Sequence, residues 1–262
     1  MTSARRAGWT AERPEQHYLV EPRYLAGGGD LRYVTEALRA SGWRTTTLQE
    51  HATILLSPDR AVRIGFAPDG WAVAGVTDGG DAWHAELSPR TPVEIIAGFT
   101  DALTRPPAAH APNVWAPLRE HGWQEEQGQH VSAVSAARDA WVQYHQPGPG
   151  RAQWWIGAAA EHGTMWSARF TATTPLYLLE AFTGALADPE PVLRPRAHVP
   201  TSNRLRTTSV SVLPAQYTAW LQARVSTARS ATWARNAPTA RRHTNRLLTA
   251  HRNAPSTPAP RR

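Results

Sequence analysis

The feature that most constrains this chain is an internal repeat. Thr91-Pro92-Val93-Glu94-Ile95-Ile96-Ala97-Gly98-Phe99-Thr100-Asp101-Ala102-Leu103 returns 83 residues later as Thr174-Pro175-Leu176-Tyr177-Leu178-Leu179-Glu180-Ala181-Phe182-Thr183-Gly184-Ala185-Leu186. Thr, Pro, Phe, Thr, Ala and Leu recur in register, and Leu replaces Val93, Ile95 and Ile96 between them. Each copy reads as a helix: Thr can cap the orphan amides, and Pro sits where its missing N–H costs nothing. In the first copy Glu94 stands where it would complete a capping box with Thr91. A segment repeated at this interval means two copies of one structural unit.

The residues before each copy extend the match. Leu31, Val34, Ala37 and Leu38 fall on one helical face and lead to Gly42-Trp43; Val114 and Leu118 lead to Gly122-Trp123. Four strand-like runs follow in the first unit, at 52–56, 62–66, 71–76 and 82–87, separated by Pro-, Asp- and Gly-rich turns. The second unit has matching runs at 131–135, 141–145, 154–159 and 166–170. Each unit therefore reads as helix, four-stranded antiparallel meander and closing helix. The class is α+β, with the two units expected as a pseudo-two-fold pair and the closing helices near their interface.

The division that follows is a disordered N-terminus at 1–19, repeat 1 at 20–105, a Pro-rich link, and repeat 2 at 113–190. After these come a linker at 191–212 and an Arg-rich tail at 213–262. In the tail, Pro214 to Arg235 carries Tyr217, Trp220, Leu221, Val225 and Ala228 at helical spacing. Asn236-Ala237-Pro238 is expected to interrupt it before a short basic helix, and Pro255 to Arg262 is disordered by composition.

Composition limits the chemistry. The chain has no Cys and no Lys, so thiolate nucleophiles, Cys-based zinc sites, Walker-type lysines and Schiff bases are excluded. Gly27-Gly28-Gly29-Asp30 follows no strand-like run and precedes no Lys, so it reads as a tight turn with Asp30 capping the next helix, not as a phosphate loop. No hydrolase elbow, zincin helix or dinucleotide fingerprint is present. His84, His130, His145 and His162 show no ligand spacing, so no metal and no cofactor is assigned. Trp43/Trp123, Trp71/Trp154 and Trp83/Trp166 occupy equivalent places and suit core packing. Trp141 and Trp155 have no aromatic counterpart and suit either packing or a binding surface.

Charge supplies the functional signal. Residues 1–190 hold 15 Arg and all 21 acidic residues, a balance of −6, whereas residues 191–262 hold 13 Arg and no Asp or Glu. A block of arginines without carboxylates is suited to a polyanion. The candidate nucleic-acid contacts are Arg224, Arg229, Arg235, Arg241, Arg242, Arg246, Arg252 and Trp233.

Tyr24-Leu25-Ala26-Gly27-Gly28-Gly29-Asp30, the turn Ser57-Pro58-Asp59-Arg60 and the helix from Thr91 to Ile96 together resemble the actinobacterial SPDY domain family, a domain of unknown function. The resemblance spans roughly 18–190. It implies tandem copies, the second lacking the Ser-Pro-Asp turn, and no catalytic residues. The expectation is a non-catalytic binding module whose tail meets DNA or RNA without strong sequence preference. The alternative is a protein–protein adaptor with the tail docked on the acidic repeats or regulatory. With no apolar run of membrane-spanning length and no hydrophobic stretch behind Arg5 and Arg6, the expected location is the cytoplasm, with no membrane partner.

Overall fold

Alternating burial is what turns the strand-like runs into one sheet. In 82–87, Trp83, Ala85 and Leu87 are buried while His84 and Glu86 are exposed; in 163–171, Trp166, Ala168 and Phe170 are buried and Arg169 is exposed. Side chains of period two leave one face of each strand apolar. The computed structural model describes residues 12–252 apart from 50–51, 108, 129, 147 and 149–150. Side chains are described as far as Arg235, without those of 47–49, 52 and 127.

The first unit comprises α1 (Arg32–Ala40), β2 (Arg44–Gln49), β3 (Ala52–Leu56), β4 (Val62–Ala67), β5 (Gly70–Val76), β6 (Ala82–Leu87) and α2 (Val93–Leu103), preceded by β1 (Glu15–Glu21). The second comprises α3 (Ala116–Glu120), β7 (Gln124–Gln127), β8 (Val131–Val134), β9 (Ala140–His145), β10 (Gln153–Ala160), β11 (Gly163–Thr171) and α4 (Leu176–Ala187). Strands β2 to β11 form one antiparallel sheet of ten in the order β2-β3-β4-β5-β6-β11-β10-β9-β8-β7, so the order in one half mirrors that in the other. The seam is a short pairing of β6 with β11, with Arg169 opposite Glu86. Buried residues of α1 to α4 join the inward residues of the sheet in a single core.

Each meander has five strands instead of the expected four. Arg44-Thr45-Thr46-Thr47 and Gln124-Glu125-Glu126-Gln127 carry almost no apolar side chains, so their pattern hid two edge strands. Such polar edges resist pairing with other chains. The helix–Gly–Trp opening is present in both units. Trp43 N–H donates to Leu38 O and Trp123 N–H to Leu118 O, and Gly42 and Gly122 take φ of +92° and +75°. This is a Schellman ending, for which glycine is favoured.

The Ser-Pro-Asp turn survives in the second unit although its sequence does not. Ser57 Oγ donates to Asp59 Oδ1 (2.5 Å), and Ser135 Oγ donates to Asp139 Oδ1 (2.6 Å). In each turn a hydroxyl accepts the N–H that opens the next strand, from Val62 or from Ala140. The fourth residue, Arg60 or Arg138, is left-handed, with φ of +63° and +56°. The Ser57 hydroxyl and the Ala61 N–H hold the Asp59 carboxyl below the ordinary carboxylate value.

The closing helices meet as expected. Gly98 is the point of closest approach: a Cβ there would lie 2.4 Å from Ala185 Cβ and 2.9 Å from Ala181 O. Beneath them Phe99, Phe170 and Phe182 pack edge to face or tilted, with centroids 5.0–6.3 Å apart. The expected caps are replaced. Pro92 is the N-cap of α2 with no side-chain cap bond, and Thr91 Oγ1 is buried without a partner. Asp30 lies one residue before the N-cap of α1, Leu31, yet its Oδ1 accepts Arg32 N–H (2.9 Å).

Glu94 is occupied elsewhere. Two strands lie within 191–212, where the sequence suggests a linker: β12 (Val192–Pro195) and β13 (Arg206–Val212) flank β1 in a three-stranded antiparallel sheet. Thr, Ser and Val alternate in β13, a strand-forming composition obscured by the neighbouring Arg and Pro. Arg194 on β12 is 2% exposed and pairs with Glu94 through Nη1–Oε1 (2.7 Å) and Nη2–Oε2 (2.6 Å). Its remaining donors reach Ala26 O, Gly27 O and Leu193 O, so every guanidinium N–H is used. A Cβ on Gly29 would lie 3.1 Å from Arg194 Cζ. The triple glycine therefore wraps an arginine.

Two predictions follow from these contacts. Glu94→Ala leaves a buried guanidinium unpaired and lowers stability by about 3–5 kcal/mol, whereas Glu94→Leu with Arg194→Met loses less than the two single changes combined. Urea unfolding of the four proteins measures the coupling, and strict additivity would sink it. At Arg60 and Arg138, replacement by Gly removes left-handed strain and raises stability by about 0.5–1 kcal/mol each, visible as a higher urea midpoint.

Candidate nucleic-acid interface

The tail is one helix, α5 (Pro214–Arg252), without the interruption that the sequence suggests at Asn236-Ala237-Pro238. Proline removes one backbone N–H and bends a helix more readily than it ends one in every case. Residues 253–262, read from composition as disordered, lie outside the described residues.

The first turns of α5 are docked on the helical layer. Tyr217 Oη donates to Asp30 Oδ2 (3.0 Å), Trp220 stacks on Tyr33 with centroids 4.8 Å apart, and Val225 is buried. Arg224 forms a two-point pair with Asp101 (2.8 and 3.1 Å), donates to Tyr33 O (2.6 Å) and lies 4.2 Å over the Tyr33 ring. Arg224, singled out as a nucleic-acid contact, is therefore an anchor. A guanidinium that has already exchanged water for a carboxylate, a carbonyl and an aromatic face has little left to offer a phosphate.

Beyond the anchor, Ala228, Ala231 and Arg235 of α5 still line a depression shared with Ala37, Ser41 and Thr104 of the body. Arg229 and Arg235 are exposed, and Trp233 is 80% exposed. Arg235 donates back along the helix to Ala231 O and Thr232 Oγ1. Arg241, Arg242, Arg246 and Arg252 lie on the same helix, and no acidic residue occurs after Glu190. The charge division is thus smaller than the raw count. Arg194, Arg206 and Arg224 are paired with Glu94, Glu21 and Asp101, and Arg196 donates to Gln16. Arg105, Arg224 and Arg235 line a depression of about 370 Å³ between α5 and the helices α1 and α2, and the later arginines follow along the same helix.

The anchor depends on Asp30 and Asp101, and sequence reasoning missed both. Asp30 was legible only as a helix cap, and Asp101 carried no signal at all. Burial works against the Asp30 carboxylate, but bonds from Arg32 and from the Tyr217 hydroxyl outweigh it and hold its pKa below the ordinary value. Burial, then the Asp30 charge, push the Tyr217 hydroxyl well above the usual phenol range.

Three surface depressions are candidate sites of chemistry. The one over α2 and α4, about 580 Å³, is lined by Arg23, Glu94, Asp101, Asp188 and Arg224 among others. Its carboxylates are largely taken: Arg23 pairs with Asp188 (2.8 Å), Arg194 with Glu94 and Arg224 with Asp101. Among the described residues no three His, Asp or Glu are grouped to hold a metal ion. His130 and His145, 15 residues apart in sequence, come within 3.0–3.1 Å of each other. The other two depressions lie on the far face of the sheet. No helix among the described residues is long and apolar enough to cross a membrane.

A repeated five-stranded meander closed by a Thr-Pro helix, with a Ser–Asp turn before the third strand of each meander, defines the class. Two segments of the chain, 56–109 and 134–192, one in each half, match the SPDY family model, described as a domain of unknown function (DUF317). Each segment begins at the Ser–Asp turn and runs through the closing helix; the glycine loop at Gly27–Gly29 lies outside both. Comparison with curated proteins and with solved structures finds no match.

The anchor's pH dependence follows from Asp30. Its folded pKa lies below the unfolded value of about 3.9, so its contribution is full above that value and is lost as pH falls through the folded one. Asp30→Asn is therefore expected to lower stability at pH 6, with the difference from the wild type shrinking as pH falls below about 4. Urea midpoints across that range check the sign.

Proposed function

We propose that the two SPDY halves form one non-catalytic scaffold with pseudo-two-fold symmetry, and that α5 beyond its anchor contacts DNA or RNA without strong sequence preference. The mirrored strand order, the Gly98 contact between α2 and α4, and the paired Ser–Asp turns support the first part. The observation that carries the second is the change along α5, from docked Tyr217, Trp220 and Arg224 to exposed Arg229, Trp233 and Arg235, with four further arginines ahead. The docked first turns fix the base of a cationic helix, along which each phosphate contact can release a counterion. Arg229, Arg235, Arg241, Arg242, Arg246 and Arg252 are the contacts, and Trp233 offers a ring for stacking.

Removing 191–262 is not a usable test, since β12 and β13 would go with the tail and leave β1 unpaired. The full chain is compared instead with a variant carrying Gln at 241, 242, 246 and 252, in gel-shift titrations with duplex DNA at 50–200 mM salt. The wild type is expected to lose about three orders of magnitude of affinity over that range, and the variant to show a salt slope smaller by about 3–4. Equal binding by the two proteins would remove α5 from the account.

The docking of Arg224 on Asp101 favours a second reading, a protein–protein adaptor whose tail is held by the repeats. Under it, Arg224→Gln would change capture of a defined protein partner after nuclease treatment and leave nucleic-acid affinity unaltered.

A further inference from the structure

The helices cover one face of the ten-stranded sheet, and the other face is open. Across its middle runs a cross-strand row, Gln143, Trp155, Arg169, Glu86 and Ala72, formed by successive register pairs. Trp155 is 38% exposed there, beside Trp141 in an edge-to-face pair with centroids 6.3 Å apart. Trp141 lies against the sheet because position 157 is glycine; a Cβ there would come within 2.6 Å of Trp141 Cζ2. Solvated sheet faces are ordinarily polar, so a supported pair of tryptophans needs an explanation beyond packing.

The surroundings of Trp155 are cationic. A depression of about 400 Å³ beside it is lined by Arg151, Arg169, Gln153, His84 and Glu86. Among the described residues neither Arg151 nor Arg169 has a carboxylate within ion-pair distance. A second depression of about 600 Å³ joins the first at Glu86 and Arg169 and crosses the first half over Gly65 and Ala72, with Asp69 at its edge. The acidic groups thus sit toward the first half, and the aromatic and basic groups toward the second.

We infer that this face is a second, separate site, for single-stranded nucleic acid, in which Trp155 stacks on a base while Arg169 and Arg151 meet the flanking phosphates. An exposed ring on a flat sheet can stack only on a base whose face is free, which excludes an intact duplex. Unpartnered arginines beside the ring favour a phosphate-bearing ligand over a neutral sugar. Gln143 and Gln153 supply amides to base edges without fixing a sequence. The site is on the opposite face from α5 and does not depend on the reading of the tail.

The test is fluorescence anisotropy of fluorescein-labelled dT15 and U15 with the full chain. Four variants are compared with it: Trp155→Ala, Trp155→Phe, Arg169→Gln and the four-glutamine α5 variant. Trp155→Ala is expected to weaken oligonucleotide binding about 10-fold or more, with Trp155→Phe restoring most of it and duplex affinity unchanged. Arg169→Gln is expected to reduce the salt slope by about 0.7. Circular dichroism and urea midpoints establish that the surface variants are folded. Wild-type binding by both Trp155→Ala and Arg169→Gln overturns the site. Loss of dT15 binding only in the α5 variant overturns it too while leaving the tail reading intact. Binding of a neutral oligosaccharide, lost in Trp155→Ala while dT15 binding is kept, also overturns it.

Discussion

The bidentate pair between Arg194 and Glu94 is the interaction on which the rest of the structure depends. It joins three parts of the chain that are remote in sequence: the strand after the second repeat, the first turn of the first closing helix, and the glycine loop that precedes the first opening helix. A guanidinium buried to 2% exposure is tolerable only when every donor has an acceptor, and here two carboxylate oxygens and three carbonyls provide them. The loop glycines follow from that need, because a side chain at Gly29 would meet the guanidinium. The three-stranded sheet follows as well, since Arg194 is fixed in place by the pairing of β12 with β1.

Around this tie the repeat does the structural work. The same Gly–Trp ending, the same Ser–Asp turn and the same closing helix occur in each half, and the two halves share one core centred on Phe99, Phe170 and Phe182. The second turn shows that a hydrogen-bond pattern can outlast its motif. Moving the carboxylate from two to four residues after the serine still places it within 2.6 Å of the hydroxyl. A left-handed arginine closes both versions.

What could be read in advance was whatever repeats or alternates. The closing helices and eight of the meander strands follow from Pro at the first turn and from period-two burial. The two polar edge strands were hidden because Thr, Gln and Glu give no apolar period. The strands within 191–212 were hidden because neighbouring Arg and Pro dominate the composition. At the interface, the exposed arginines of α5 were legible as charge, but Arg224 was not legible as an anchor. Its partners, Asp101 and the Tyr33 ring, lie more than 120 residues away and have no local signature. The outer-face row around Trp155 depends on strand register, which the residues alone do not disclose.

The position of β1 bears on how the chain is made. Glu15–Glu21 is synthesised well before both of its neighbours, at 192–195 and 206–212, which come almost two hundred residues later. Loop closure over that distance is slow compared with local helix and hairpin formation. On a ribosome the two meanders can therefore condense while this strand still waits. The small sheet then closes last, just as the cationic helix begins to emerge.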